Sequence, residues 1–184
     1  ETVIYCIIFL HKYISILNMN NKDLKVAVLG AGAMGCLFGG LLAEKGLNVT
    51  LIDVWKEHVE EINKNGLKMD GHGGDRFIKI PATSDPSTIG KVDAVIVMCK
   101  ATALEPALKS IKNIIGDKTV FMSFQNGIGH EAIIKSIVGD EKVIGGTTTQ
   151  ASNILGPGHI MNHAALPSWI GEYDGGITDR ITEI

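Results

Sequence analysis

The chain has 184 residues, of which 45% are hydrophobic and 20% are charged, and its formal net charge is -3. This length predicts one globular domain with a sizeable core, and the composition excludes a disordered chain. Because the charges form no long run of one sign, the sequence offers no electrostatic surface for nucleic acid or for an anionic membrane. We therefore expect a small-molecule ligand, and neither a nucleic acid nor a membrane as partner.

The beginning of the chain, residues 1–17, is conspicuously apolar, but His11 and Lys12 interrupt it. The uninterrupted run is shorter than the roughly 18 residues that a membrane span needs. The segment has neither the basic start nor the small-residue cleavage site of a signal peptide. We therefore treat residues 1–24 as an extension of open role and residues 25–184 as one domain.

The cysteines and histidines form no recognisable metal or redox motif. Cys6, Cys36 and Cys99 are far apart and show no C-x-x-C spacing, so we expect reduced thiols in a cytoplasmic protein. His159 and His163 have the spacing of a metal pair on a helix, but they lie in a predicted strand region without a supporting ligand cluster, and we assign no metal. Three further histidines are interpreted as surface or turn residues: His58, His72 and His130.

From Lys25 onward, short β-branched runs alternate with longer segments of helical periodicity. This alternation predicts an α/β fold of the Rossmann type, a doubly wound and mostly parallel sheet covered by helices. Strands are predicted at residues 26–29, 49–52, 93–98, 120–124 and 143–149. Helices are predicted from the first strand to Gly46, over residues 55–65, over a stretch from Leu104 to Ile115, and from Gly127 to Ile137. The first of these helices is expected to be amphipathic, with Gly39 letting it lie close on the sheet.

Two segments break this alternation. Residues 67–80 hold two short apolar runs around several glycines, which predicts an inserted antiparallel hairpin. Residues 160–163 and 168–171 follow the turn at 156–158, and we expect these two runs to pair with each other as strands.

A glycine motif stands between the first predicted strand and the first helix. It consists of Gly30, Ala31, Gly32, Ala33, Met34 and Gly35. In this context Gly30 permits the tight turn, Gly32 lets the backbone approach a pyrophosphate, and Gly35 allows close packing of the helix. Phosphates then bind at the N-terminus of the helix, where the dipole favours negative charge. We therefore assign residues 25–184 to an NAD(P)-binding Rossmann domain.

Asp53 follows the second predicted strand, about 20 residues after the glycine motif. A carboxylate at this place accepts hydrogen bonds from the ribose hydroxyls of NAD and disfavours a 2'-phosphate. Lys56 is near enough in sequence to supply a compensating charge. The alternative interpretation is an aspartate that caps the following helix, and both roles are compatible.

Lys100 and Asn126 each follow a predicted parallel strand. Open α/β sheets bind ligands at this edge, so we expect both side chains to face one crevice. A lysine there can hold phosphate, ribose or carboxylate oxygens, and an asparagine can donate and accept at the nicotinamide ribose or a substrate carbonyl. The alternatives are a solvated lysine at a strand end, and an Asn126-Gly127 pair that only makes a turn.

Taken together, these residues resemble the ketopantoate reductase family, whose members are 2-dehydropantoate 2-reductases. The resemblance runs from about Lys25 to the end of the chain and rests on residues 25–35, Lys100, 125–129, 146–149, 156–158 and 170–172. It implies the reduction of 2-dehydropantoate to pantoate, on the pathway to pantothenate and coenzyme A, usually with NADPH. It also implies that Lys100 and Asn126 line the nicotinamide end of the cofactor and that Ser152 contacts the cofactor.

In that family a second, all-helical domain supplies the lysine that protonates the nascent alkoxide and most of the groups that contact the substrate. The present sequence ends before it, so we expect the cofactor-binding part only, with slow hydride transfer and no catalytic residue assigned. The resemblance favours NADP(H), whereas Asp53 favours NAD(H). Two alternatives stay open: a non-catalytic module that senses NAD(H), and a dehydrogenase for another small 2-keto acid. Lys100 and Asn126 favour an enzyme, because a sensor needs no polar groups at the nicotinamide end.

Overall fold

The computed structural model describes residues 7–8, 24–173, 176, 178, 179 and 181. The strands are β1 (Ile7–Ile8), β2 (Lys25–Leu29), β3 (Asn48–Ile52), β4 (Leu67–Gly71), β5 (Arg76–Ile78), β6 (Ala82–Thr83), β7 (Val92–Val97), β8 (Ile115–Ser123), β9 (Val143–Thr148), β10 (Ala151–Gly156), β11 (His159–Ala164) and β12 (Ser168–Gly171). The α-helices are α1 (Ala33–Glu44), α2 (Lys56–Asn65), α3 (Leu104–Ser110) and α4 (His130–Val138).

The larger of two sheets has the strand order β1-β12-β9-β8-β7-β2-β3-β6. The six strands from β9 to β6 are mutually parallel and follow the order of a Rossmann fold. At one edge β12 runs antiparallel to β9, and β1 runs antiparallel to β12. The predicted mostly parallel, doubly wound α/β fold is confirmed.

Helices cover both faces of this sheet, because successive residues of a strand point to opposite faces. In β2, Val26 and Val28 join a core cluster with residues of α1 and α2, whereas Ala27 and Leu29 join a second cluster with residues of α3 and α4. Every residue of β2 after Lys25 is therefore buried. This explains the nearly continuous apolar run that a central parallel strand requires.

The smaller sheet, of order β10-β11-β4-β5, does not follow from the sequence pattern. The predicted hairpin is present as β4 and β5, but β4 also pairs in parallel with β11, so the hairpin is part of a four-stranded sheet and not an isolated appendage. The expected pairing of residues 160–163 with 168–171 is wrong. The first run lies in β11 between β10 and β4, and the second lies in β12 beside β9.

The segment between β7 and β8 also differs from its prediction. The helix α3 ends at Ser110, and a short 3-10 turn over Lys112–Ile114 follows it. Ile115 was expected in the helix, yet it begins β8 and pairs with Val92 across an irregularity in the ladder. Its apolar side chain fits both the helical and the strand pattern of the sequence, so the pairing with Val92 decides its conformation.

Helix α1 lies between the two sheets. It contacts β2 and β3 on one side and all four strands of the smaller sheet on the other. A Cβ added at Gly39 would lie 2.5 Å from Leu51 of β3, and one added at Gly40 would lie 2.9 Å from Met69 of β4. The close approach predicted for Gly39 is confirmed, but the helix is not amphipathic: residues 35–41 are all buried, since a second layer covers the face expected to be in water.

The extension contributes β1 at the sheet edge, where Ile7 and Ile8 pair with Trp169 and Ser168. The rest of residues 1–23 lies outside the described part of the chain.

The turn between β2 and α1 is packed without room for side chains. Gly30 has a φ of +98°, and a Cβ there would lie 2.5 Å from the backbone nitrogen of Cys99 at the end of β7. A Cβ at Gly35, in the first turn of α1, would lie 1.9 Å from the carbonyl oxygen of Gly30. Both contacts are with backbone atoms, so a side chain at either position fits only if the backbone of the turn moves.

We expect Gly35→Ala to lower the free energy of unfolding by about 1–3 kcal/mol, because the clash exceeds the gain of up to about 1 kcal/mol in helix propensity. Urea denaturation of the wild-type chain and the variant measures this difference. Gly90→Ala is the matched control, since a Cβ at Gly90 meets no atom within 4 Å among the described residues, and we expect it to change stability by less than about 0.5 kcal/mol. Equal stability of the two variants would contradict the packing described for the turn.

Candidate functional site

A cleft of about 260 Å³ opens at the carboxyl ends of β2, β7 and β8. From β2 the chain continues to β3 on one side, while β7 lies on the other side, so the strand order reverses at this point. Ligands of open α/β sheets bind at such a reversal. The cleft is lined by Met34, Met98, Cys99, Lys100, Ala101, Phe124, Gln125 and Asn126. The structure therefore brings Lys100 and Asn126 into one crevice, as their positions at the strand ends predict, and adds Met34 from the first turn of α1.

The glycine turn borders this cleft and presents backbone N–H groups. Gly32 is exposed, and a Cβ built on it meets no described atom within 4 Å. It is the N-cap residue of α1, and no side chain caps this end of the helix. The first N–H groups of a helix have no partner within it, and together with the helix dipole they favour an anion. The turn has the geometry of an anion site.

Asp53 lies at the carboxyl end of β3, half-buried. Its Oδ1 accepts a hydrogen bond of 3.0 Å from the backbone N–H of Trp55. Helix α2 begins only after Trp55, so Asp53 stabilises the turn before the helix and is not itself the N-cap. The charge of Asp53 also reaches the cleft: burial raises the pKa of the Cys99 thiol, and the Asp53 carboxylate adds to the increase.

Gln125 is a cleft residue that the sequence interpretation did not single out. Its side-chain Nε2 donates to the carbonyl oxygen of Cys99, and the Ser123 hydroxyl donates to its Oε1 at 3.2 Å. The side chain thus joins the end of β7 to the end of β8. Its place beside Asn126, directly after a predicted strand, was the available signal.

His130 supports the loop that carries Asn126. Its Nε2 lies 2.8 Å from the backbone oxygen of Asn126, and because a carbonyl only accepts, Nε2 carries the proton. Gly127 and Gly129 have φ values of +106° and +90°, which fold the loop back onto this ring. The interpretation as a surface or turn residue is wrong for His130, which begins α4 and is 9% exposed, because α4 packs its first turn under the loop.

His58 is a second histidine whose predicted exposure is wrong. It is fully buried, with Nε2 3.3 Å from Cys36 Sγ. Its Nδ1 accepts a 2.9 Å hydrogen bond from the N–H of Gly158, and its ring stacks on Trp55 with centroids 4.9 Å apart. Burial lowers the pKa of the His58 imidazole, although the Asp53 carboxylate acts in the opposite direction. His58 lies beneath the glycine turn, because it contacts Cys36, and the thiol of Cys36 donates a hydrogen bond to the carbonyl oxygen of Ala31 in that turn.

Ser152 lies outside the cleft lining, on β10, which packs against α1. Its hydroxyl is buried and finds no hydrogen-bond partner among the described residues. A buried hydroxyl is usually paired, so this oxygen is available to a ligand that reaches it.

The two histidines of β11 do not form a metal site. His159 Nε2 lies 2.7 Å from Oδ2 of Asp70 on the neighbouring strand, and this hydrogen bond lowers the pKa of the Asp70 carboxyl. Lys68 lies 3.4 Å from the same oxygen. His163 is exposed. Within residues 24–173 and the other described positions, no group of three or more His, Cys, Asp or Glu side chains is placed to hold a metal.

A groove of about 470 Å³ beside α2 contains Lys68 and His159 among its lining residues. Although it is larger than the cleft, it shares no lining residue with it and contains none of the predicted site residues. None of the helices in the described part of the chain is long and apolar enough to cross a membrane.

Comparison with known proteins gives consistent matches over this region. The family described as ketopantoate reductase PanE/ApbA matches residues 26–175. The 2-dehydropantoate 2-reductase of Pyrococcus horikoshii is 38% identical over 161 residues, which are 88% of this chain and 52% of that protein. The chain spans about half the length of the curated relatives it matches.

Solved structures extend the likeness to the fold. A 2-dehydropantoate 2-reductase from Geobacter metallireducens superposes with a TM-score of 0.80 at 32% identity, over 87% of this chain and 53% of that one. A D-mandelate dehydrogenase in complex with NADH and anilino(oxo)acetate superposes with a TM-score of 0.73 at 37% identity, over 77% of this chain and 46% of that one. On the family match and these likenesses, the chain belongs to the ketopantoate reductase PanE/ApbA family.

Proposed function

We propose that this chain forms the part of a 2-keto acid reductase that binds the nicotinamide cofactor, with 2-dehydropantoate, reduced to pantoate, as the first candidate substrate. The observation that carries the proposal is the cleft at the reversal of strand order, where the glycine turn, Lys100 and Asn126 meet. The names of the relatives support the substrate class. A sensing module would have no reason to place Lys100 and Asn126 there.

The glycine turn fits a pyrophosphate. The space in front of Gly32 is open, so phosphate oxygens can approach the backbone more closely than any side chain would allow. The uncapped N-terminus of α1 provides N–H donors and a favourable dipole. The residues that we assign to this contact are Gly30, Ala31, Gly32, Ala33, Met34 and Gly35.

The nicotinamide end of the cofactor is assigned to the cleft. When bound there, the reduced nicotinamide supplies a hydride, with its electron pair, to the keto carbon of the substrate. The Lys100 ammonium holds ribose oxygens or the substrate carboxylate, and the Asn126 amide donates and accepts at the ribose or the carbonyl. Met98 and Phe124 provide an apolar wall that excludes water. We assign no proton donor within the described residues.

Ser152 is the remaining residue that we assign to the cofactor. The support is its buried hydroxyl, which has no partner in the described part of the chain, together with the packing of β10 on the helix that carries the glycine turn.

The choice between NADP(H) and NAD(H) rests on Asp53. Its carboxylate lies at the end of β3, where it can accept a hydrogen bond from a ribose hydroxyl and would repel a 2'-phosphate. This favours NADH, which is also the cofactor in the complex of the similar D-mandelate dehydrogenase. The second candidate function is therefore the NADH-dependent reduction of another 2-keto acid, such as 2-oxo-2-phenylacetate. The two candidate functions are distinguished by adding each keto acid to the chain with bound reduced cofactor and measuring which of them accelerates oxidation of the cofactor.

We expect Gly32→Ala to weaken cofactor binding by at least about tenfold, because the new methyl group occupies the space that the pyrophosphate needs. Its φ of -67° suits alanine and no described atom lies within 4 Å, so the free energy of unfolding should stay within about 0.5 kcal/mol of wild type. Calorimetric titration with NADPH and with NADH, beside urea denaturation, measures both quantities. No binding of either cofactor to the wild-type chain would overturn the proposed function.

Asp53→Asn tests the cofactor preference. The amide oxygen keeps the hydrogen bond from Trp55 while the charge is removed, so we expect the ratio of NADPH to NADH affinity to rise on the order of tenfold. Titration of both cofactors against wild type gives this ratio. An unchanged ratio would show that Asp53 does not discriminate between them.

Lys100→Ala tests the orientation of the cofactor. It should weaken NADPH or NADH binding by about five- to tenfold while leaving the affinity for ADP, which lacks the nicotinamide riboside, unchanged. Lys118→Ala, at an exposed lysine near the amino end of β8, is the matched control and should alter neither. An equal loss for ADP and for the whole dinucleotide would place Lys100 at the phosphates instead.

A further inference from the structure

Beneath the glycine turn, a buried row of hydrogen bonds joins three parts of the fold. The N–H of Gly158, in the turn between β10 and β11, donates to His58 Nδ1 at 2.9 Å. His58 Nε2 lies 3.3 Å from Cys36 Sγ, and Cys36 Sγ lies 3.0 Å from the carbonyl oxygen of Ala31. The row therefore runs from the smaller sheet through α2 and α1 to the middle of the glycine turn.

The chemistry of these groups fixes the direction of every bond in the row. A backbone N–H only donates, so His58 Nδ1 presents a lone pair and the proton of the neutral ring lies on Nε2. This proton points at Cys36 Sγ, and the thiol donates in turn to the Ala31 oxygen, which only accepts. The Ala31 carbonyl also interacts directly with the ring and raises the pKa of His58, against the larger effect of burial. Burial supports the arrangement: it raises the pKa of the Cys36 thiol, which keeps the thiol a donor, and lowers that of His58, which keeps the ring neutral.

Fixing the Ala31 oxygen also fixes the next N–H group. The peptide bond is planar and, in the described residues, always trans, so the Gly32 N–H points opposite to the Ala31 carbonyl. The carbonyl points inward at Cys36, so the N–H of Gly32 points away from Cys36, and Gly32 itself is exposed. We propose that His58 is a positioning residue of the cofactor site, which acts together with Cys36 on the Ala31 carbonyl to aim the Gly32 N–H at the pyrophosphate.

Protonation of His58 is incompatible with this arrangement. A second proton on Nδ1 would face the N–H of Gly158, so two donors would meet and the turn would have to move. The charged and titratable groups that face the ring from the elements packed against it are the Cys36 thiol on α1 and the Asp53 carboxylate after β3. Beside Gly158 lies the side chain of Glu61, which belongs to α2.

The sign of the pH effect follows from the direction of the pKa shift. The folded protein binds the proton less readily than the unfolded chain does, because the pKa of His58 lies below its ordinary value of 6.5. Stability contributed by neutral His58 is therefore present above that value and decreases as the pH falls below it. Cofactor affinity should follow the same direction, since only the neutral ring maintains the row.

The proposal rests on the proposed function, and its test is the affinity for NADH of the 184-residue chain. Cys36→Ala removes the donor to Ala31, and we expect it to weaken NADH binding by about tenfold. Cys36→Ser retains a hydroxyl that donates and accepts, so it should recover most of the affinity. Val59→Ala, at another buried position of α2 outside the row, is the packing control: it should lower stability without changing NADH affinity.

A pH series separates positioning from a merely structural role. As the pH falls from about 7.5 to values below the ordinary histidine pKa of 6.5, we expect the NADH affinity of wild type to fall when folded His58 binds its second proton, and that of His58→Asn, which does not titrate, to stay level. If wild type binds NADH but Cys36→Ala and Cys36→Ser bind it equally well, or if the pH dependence persists in His58→Asn, the positioning role is overturned. Failure of wild type to bind either cofactor would overturn the proposed function instead.

Discussion

The close packing of the β2–α1 turn is the constraint on which the rest of the structure depends. Gly30 lies against the backbone of β7, and Gly35 lies against the carbonyl of Gly30. With no side chain between them, the N-terminus of α1 meets the carboxyl edge of the central strands. The glycine turn and the cleft consequently lie side by side, and Met34 belongs to both. Any larger residue would separate the helix from the sheet and the two halves of the site from each other.

Glycine residues also allow close packing further along α1, which has a sheet on each side. Gly39 allows the approach of the larger sheet and Gly40 that of the smaller one. Because both contacts use one turn of one helix, the smaller sheet is fixed relative to the glycine turn, although it is remote from it in sequence. The hydrogen bond between Gly158 and His58 is made at this junction. A turn of the second sheet thereby stabilises a peptide in the first loop of the Rossmann domain.

Polar groups at the cleft are held in place by hydrogen bonds to residues outside the glycine turn. Gln125 joins the ends of β7 and β8 through Cys99, and His130 holds the backbone of Asn126. Such contacts reduce the freedom of the loops before a ligand arrives, so less ordering has to accompany binding.

The sequence by itself determined the parallel sheet, the glycine turn and the strand-end positions of Asp53, Lys100 and Asn126. These features depend on local periodicity and on φ values that glycine alone adopts readily, and such signals are written in neighbouring residues. The tertiary structure decided what depends on partners distant in the chain. It paired β11 with β4, covered the outer face of α1, and buried His58, whose polar neighbours in sequence predict exposure. Burial of a histidine is a property of the groups that meet it in space, here a thiol and a backbone N–H far apart in the chain, and no local pattern encodes that meeting.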